Sequence, residues 1–121
     1  MALVVAIRVM LLPAAPPLHA ALSLLVLAPM LEEIVFRGGV QEWLMSRLGD
    51  SRVVMAAPLT ATLFAAAHVV ARPTLGSVLT VLPALAIGVI YQRCRRLAPC
   101  IAAHVVFNGI WLLSAGPAAS T

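Results

Sequence analysis

Apolar residues fill four long segments of the chain. Segment A begins near Leu18 and ends in an amphipathic stretch at Leu48, and segments B, C and D cover residues 53–71, 74–92 and 97–115. Each of the last three approaches the ~20 residues that cross a bilayer core. Glycine, proline or arginine interrupts the apolar pattern at residues 49–51, 72–73 and 93–96. The pattern predicts an all-α, polytopic membrane bundle of about four transmembrane helices.

Composition supports this assignment. Apolar residues make up 63% of the 121 residues and charged residues only 10%, against about 25% in an average soluble domain. A soluble fold of this size could not bury so much apolar surface, so a cytosolic enzyme and a disordered tail are excluded. The net charge of +4 comes from scattered arginines, which excludes a nucleic-acid partner and favours the lipid bilayer. Cys94 and Cys100 are predicted to be reduced thiols.

The chain divides into three parts by pattern. Residues 1–17 form an apolar, proline-rich segment, residues 18–115 the helical core, and residues 116–121 a tail. Arginines concentrate in the connections between segments A and B and between segments C and D. The preference of arginine for cytoplasmic loops predicts that both connections face the cytoplasm. Glu42, Arg47 and Asp50 are predicted to form a solvated face at that interface.

Ionisable groups inside a membrane segment are costly, and here they are few. They occur with polar or aromatic partners at i,i+4 spacing, which places each pair on one helical face: Glu33 with Arg37, Phe64 with His68, and His104 with Asn108. Glu32 lies about 100° around the helix from Glu33 and is not committed to that pair. The three pairs reach a common depth only if segment A is one long helix that continues through Gly38 and Gly39.

These groups could hydrolyse an amide. A glutamate beside an imidazole can deprotonate a water, and a second imidazole with an amide can stabilise the oxyanion. Glu32, His68 and His104 could equally bind a divalent metal such as Zn²⁺, although the chain has no HExxH motif.

The runs Glu32–Arg37, Phe64–His68 and His104–Asn108 resemble the EExxxR, FxxxH and HxxxN motifs of the CPBP family, which contains the CAAX prenyl endopeptidases and the Abi proteins. The resemblance covers roughly residues 18–115. It implies that Glu32 activates water with help from His68, that Glu33 and Arg37 support it together with Phe64, and that His104 and Asn108 stabilise the oxyanion. Family members are described both as metalloproteases and as glutamic proteases, and usually carry further transmembrane helices before the first motif.

The resemblance implies a multi-pass protein of the bacterial inner (plasma) membrane. Its expected activity is cleavage of a membrane protein or a C-terminal peptide substrate. Two alternatives remain open: a non-catalytic immunity or binding protein of the Abi type, and a bundle that conducts a metal ion or protons.

Overall fold

The computed structural model describes residues 17–114, and within them it contains only helices and their connections. The helices are α1 (Leu18–Leu48), α2 (Val53–Ala71), α3 (Leu75–Cys94) and α4 (Leu97–Ser114), each long and apolar enough to cross a membrane. The prediction of an all-α membrane bundle is therefore confirmed. The tail at residues 116–121 and nearly all of the N-terminal segment at residues 1–17 lie outside the described residues.

Helix α3 extends two residues beyond the predicted end of segment C. Residues 93 and 94 remain helical, so the connection to α4 consists only of Arg95 and Arg96. Arg95 ends the helix because it adopts the left-handed conformation, with φ at 54°, and donates its N–H to the carbonyl of Tyr91 at 2.8 Å. This is the closing geometry in which glycine is more common.

Helix α1 is continuous through Gly38 and Gly39, as the convergence of the polar pairs required, but it is not a uniform α-helix. Two stretches, Ser23–Leu27 and Ile34–Gln41, are π-helical. Four residues overshoot a full α-helical turn by about 40° and fall somewhat short of the wider π turn, so residues spaced by four stay near one face in either geometry. Residues 33, 37 and 41 lie on such a face, and all three are buried. Two consecutive glycines with low α-helix propensity lie in this stretch.

Helices α1 and α3 run parallel, and α2 and α4 run in the opposite direction. Small residues let α2 approach α3 closely, as is common for helices packed within membranes. A Cβ atom at Gly88 would lie 3.2 Å from the Ala57 Cβ and 3.4 Å from the Ala57 Cα. The connections at residues 49–52 and 95–96 follow helices that run in the same direction, so both lie at one end of the bundle. That this end faces the cytoplasm remains a prediction.

Candidate active site

A buried ionic network joins α1 to α4. Glu33 and Arg37 are both fully buried, and the Arg37 Nε lies 3.2 Å from the Glu33 Oε2. The other carboxylate oxygen of Glu33, Oε1, lies 2.7 Å from Nδ1 of His104. The predicted pairing of Glu33 with Arg37 is thus present, and both oxygens of Glu33 are engaged. Glu33 is paired with Arg37 and is therefore a carboxylate, which can only accept hydrogen bonds. In the hydrogen bond between Glu33 and His104, Nδ1 of His104 must therefore carry the proton and donate it.

Glu32 has a different environment from its neighbour. Its side chain is 13% exposed, and its Oε2 lies 3.6 Å from Nε2 of His104, which is beyond hydrogen-bond distance. His104 therefore lies between two adjacent carboxylates and binds only one of them directly. Among the residues that the structure describes, Glu32 makes no side-chain hydrogen bond, so its carboxylate is free to bind a water.

Phe64 orders the aromatic side of the site. The rings of Phe64 and His68 are 4.3 Å apart at 30°, and His68 Nδ1 lies 2.9 Å from the Phe64 carbonyl. The same phenyl ring meets His104 edge-on at 5.9 Å and Phe36 at 5.0 Å, and the Arg37 guanidinium lies 5.5 Å from its centre. A single buried side chain therefore contacts both imidazoles and the arginine, which places the FxxxH pair against the other two motifs.

Asn108 completes the arrangement on α4. Its Nδ2 donates to the backbone carbonyl of Leu24 in α1 at 3.2 Å. His68, His104 and Asn108 line a small cleft whose apolar wall includes Phe64, Pro83 and Phe107. Glu32 is adjacent to this cleft through its contact with His104. The structure thus brings side chains from all three sequence motifs to one place.

The predicted metal ligands Glu32, His68 and His104 do not form a metal centre in this geometry. Between residues 17 and 114, no three His, Cys, Asp or Glu side chains are grouped closely enough to hold a metal ion. One nitrogen of His104 is hydrogen-bonded to Glu33 and one nitrogen of His68 to a backbone carbonyl, which leaves Nε2 of each ring without these bonds. As placed, however, the three side chains are not grouped closely enough to hold a metal ion together.

Sequence reasoning missed two contacts between α1 and α3. Arg37 Nη2 donates to the carbonyl of Ala84 at 2.6 Å, and the fully buried Gln41 donates from Nε2 to the carbonyl of Gly88 at 2.8 Å. Both bonds link residues 47 positions apart, so they repeat one geometry along two parallel helices. The sequence did contain a sign that Gln41 is buried on the same face, because Glu33, Arg37 and Gln41 follow one another at four-residue spacing.

Glu42 is partly exposed at this end of the bundle, and it is also paired, which the sequence did not indicate. Its carboxylate accepts a hydrogen bond from the Tyr91 hydroxyl at 2.8 Å and forms an ion pair with Arg95. Arg95 can reach Glu42 because the left-handed turn brings the α3–α4 connection back towards α1.

Arg47 and Asp50 are exposed, as predicted, and Arg47 lies over the ring of Trp43. Of the two free thiols, Cys94 is exposed and Cys100 is buried.

One family model, described as type II CAAX prenyl endopeptidase Rce1-like, matches residues 14–110 of the chain. This range contains all three motif-bearing segments of the site, from α1, α2 and α4. No curated protein and no solved structure gives a significant match. The match agrees with four apolar helices, a bilayer environment and a protein substrate. The chain is therefore an integral membrane protein that belongs to the Rce1-like family of CAAX-type intramembrane proteases.

Proposed function

We propose that this protein is an intramembrane endopeptidase of the bacterial inner membrane, which hydrolyses a peptide bond of a membrane-associated or C-terminally tagged protein. One observation carries the proposal: two adjacent glutamates differ in their engagement. Glu33 accepts a hydrogen bond from His104 and forms a fully buried ion pair with Arg37. Glu32 lies beside the cleft, makes no hydrogen bond to the described residues, and has only the longer 3.6 Å contact with His104. This is the arrangement that water activation by one carboxylate needs, with the other as its support.

Glu32 is the general base in this mechanism. It takes a proton from a bound water as the water oxygen attacks the carbonyl carbon of the substrate. The same proton then passes to the amide nitrogen as the C–N bond breaks, so no covalent enzyme intermediate forms. His68 donates Nδ1–H to the Phe64 carbonyl in the neutral tautomer, which leaves Nε2 as an acceptor that can orient the water.

His104 and Asn108 stabilise the oxyanion. His104 donates Nδ1–H to Glu33, so its Nε2 is the nitrogen available to the reacting groups. To donate to an oxyanion from Nε2, the ring has to carry a proton on both nitrogens, as the imidazolium does. Asn108 uses one amide N–H on the Leu24 carbonyl and keeps the second N–H for the cleft that it lines. Loss of one such donor typically lowers kcat about 10²–10³-fold. Glu33 and Arg37 hold these groups from behind the cleft, and Phe64 packs against both imidazoles from its wall.

The test of catalysis is cleavage of a tagged membrane substrate by purified protein in lipid vesicles. Glu32→Gln is expected to lower kcat by about 10²–10⁴-fold, the usual contribution of a general base. The matched control is Glu42→Gln, the same change at a glutamate in the ion pair at the end of the bundle, which should retain activity. Full cleavage by Glu32→Gln would refute the proposal. If that variant still confers immunity, a non-catalytic protein of the Abi type is favoured. If it conducts ions across the vesicle membrane, a conducting bundle is favoured.

The chemistry proposed here uses no metal, since Glu32, His68 and His104 are not grouped as ligands. Cleavage by the wild-type protein should therefore survive exhaustive chelation. Loss of activity on chelation, with recovery on addition of Zn²⁺ alone, would show that these three residues rearrange around a metal ion.

A further inference from the structure

The first π-helical stretch of α1 creates a backbone acceptor that the helix cannot satisfy. At its end, the N–H of Ala28 bonds to the carbonyl of Ser23, five residues earlier. The next bond in this pattern would run from residue 29 to the carbonyl of Leu24, but residue 29 is proline and has no N–H. The Leu24 carbonyl is thereby left without a backbone donor. Pro29 is fully buried, and Leu24 is buried as well.

Asn108 supplies the missing donor. Its Nδ2 lies 3.2 Å from the Leu24 oxygen, across the interface between α1 and α4. A carbonyl buried in a membrane without a hydrogen-bond partner is strongly unfavourable, so this acceptor favours a bond from the amide. A side-chain amide is planar, so fixing one of its two N–H groups restricts the directions in which the second N–H can point. Asn108 also lines the cleft, so that direction bears on the reaction.

We infer that Pro29 is a positioning residue for catalysis: by withholding an N–H from Leu24, it makes the helix bind and orient the amide of Asn108. The inference rests on the proposed function for the role of Asn108, but the contact itself does not. It explains why a proline is useful inside α1, four residues before the Glu33–Arg37 network, where proline would ordinarily only weaken a helix.

Pro29→Ala tests the inference because alanine restores the donor. Whether the turn stays π-helical or relaxes to an α-helix, Leu24 gains a backbone N–H, from residue 29 in the first case and from Ala28 in the second. Asn108 then competes with that N–H for the Leu24 oxygen, and its amide is held less firmly. The expected result is a kcat lowered by about tenfold or more, approaching the loss of an oxyanion donor, with KM within about twofold. Because alanine is the better helix former, resistance to unfolding should be unchanged or higher.

Two further variants make the result specific. Pro99→Ala is the matched control, because residue 99 lies in the first turn of α4, where N–H groups have no helical partner and no carbonyl is captured. It should leave kcat unchanged. In an Asn108→Ala background, Pro29→Ala should have no further effect on kcat, since both changes remove the same positioned amide. Independent, multiplying losses would overturn the inference.

A spectroscopic measurement tests, without an activity assay, whether Pro29 positions the Asn108 amide. Asn108 is the only asparagine in the chain, so selective ¹⁵N labelling of asparagine reports a single side-chain amide. In lipid nanodiscs, its two N–H resonances should shift in Pro29→Ala and stay in place in Pro99→Ala. Unchanged resonances in Pro29→Ala would overturn the inference. Absence of cleavage by the wild-type protein would count against the proposed function instead, and the amide spectrum would still show whether Pro29 holds Asn108.

Discussion

Breaking the pair between Glu33 and Arg37 should destabilise the protein far more than breaking the pair between Glu42 and Arg95. The two pairs differ in burial: the side chains of the first are fully buried, whereas those of Glu42 and Arg95 are 38% and 51% exposed. Removing one partner of a buried pair leaves an uncompensated charge, at a cost of about 3–5 kcal/mol. An exposed pair contributes about 0–1 kcal/mol, because water solvates the partner that remains.

The same substitution at both arginines measures this difference. Arg37→Met also removes the hydrogen bond to the Ala84 carbonyl, and is expected to lower the free energy of unfolding by at least about 3 kcal/mol. Arg95→Met should lower it by about 1 kcal/mol or less. Since folded proteins have only about 5–15 kcal/mol of stability, the first change is severe. The assay is reversible unfolding in mixed micelles with increasing fractions of dodecyl sulfate, followed by tryptophan fluorescence.

The double variant separates stability from catalysis. Replacing both buried partners, as in Glu33→Leu with Arg37→Met, removes the uncompensated charge and should recover part of the stability lost in Arg37→Met alone. Activity should not recover, because His104 has then lost the carboxylate that holds its Nδ1. Equal destabilisation by Arg37→Met and Arg95→Met, or a double variant less stable than Arg37→Met, would refute the reasoning.

Three further predictions concern groups that position the site. Gly88→Ala should lower thermal stability and activity together, because the new Cβ would lie 3.2–3.4 Å from Ala57 in α2 and 3.3 Å from the Gln41 oxygen. In the control Gly109→Ala, the new Cβ meets nothing within 4 Å, and neither quantity should change in the same assays. Gln41→Met keeps the side-chain length but loses the bond to α3, so kcat should fall if this bond holds the Arg37 network in register. A kcat equal to wild type would show that it does not. Phe64→Leu removes the ring shared by both imidazoles, so kcat should fall by about 10-fold while a change in KM alone would contradict its assigned role.

The sequence anticipated the elements of this protein well. Membrane-spanning length and the absence of charge identify a helix with little dependence on tertiary context, so all four helices were predicted to within about two residues at the ends the structure describes. The i,i+4 pairs were also readable, because helical geometry alone places residues 33 and 37 together. The same scarcity of charge pointed to the site.

What the sequence could not show is which of two adjacent glutamates hydrogen-bonds to His104. That depends on α4 bringing His104 to Glu33 and not to Glu32, an interhelical contact between residues 71 positions apart. The π-helical turns were likewise not predicted, and the first of them leaves the Leu24 carbonyl to Asn108. The bond from Gln41 to the Gly88 carbonyl also depends on how α3 packs against α1. Periodicity determines which helices form and which side chains share a face. Only the assembled bundle decides which acceptors remain free, because a hydrogen bond is satisfied by whichever donor the neighbouring helix supplies.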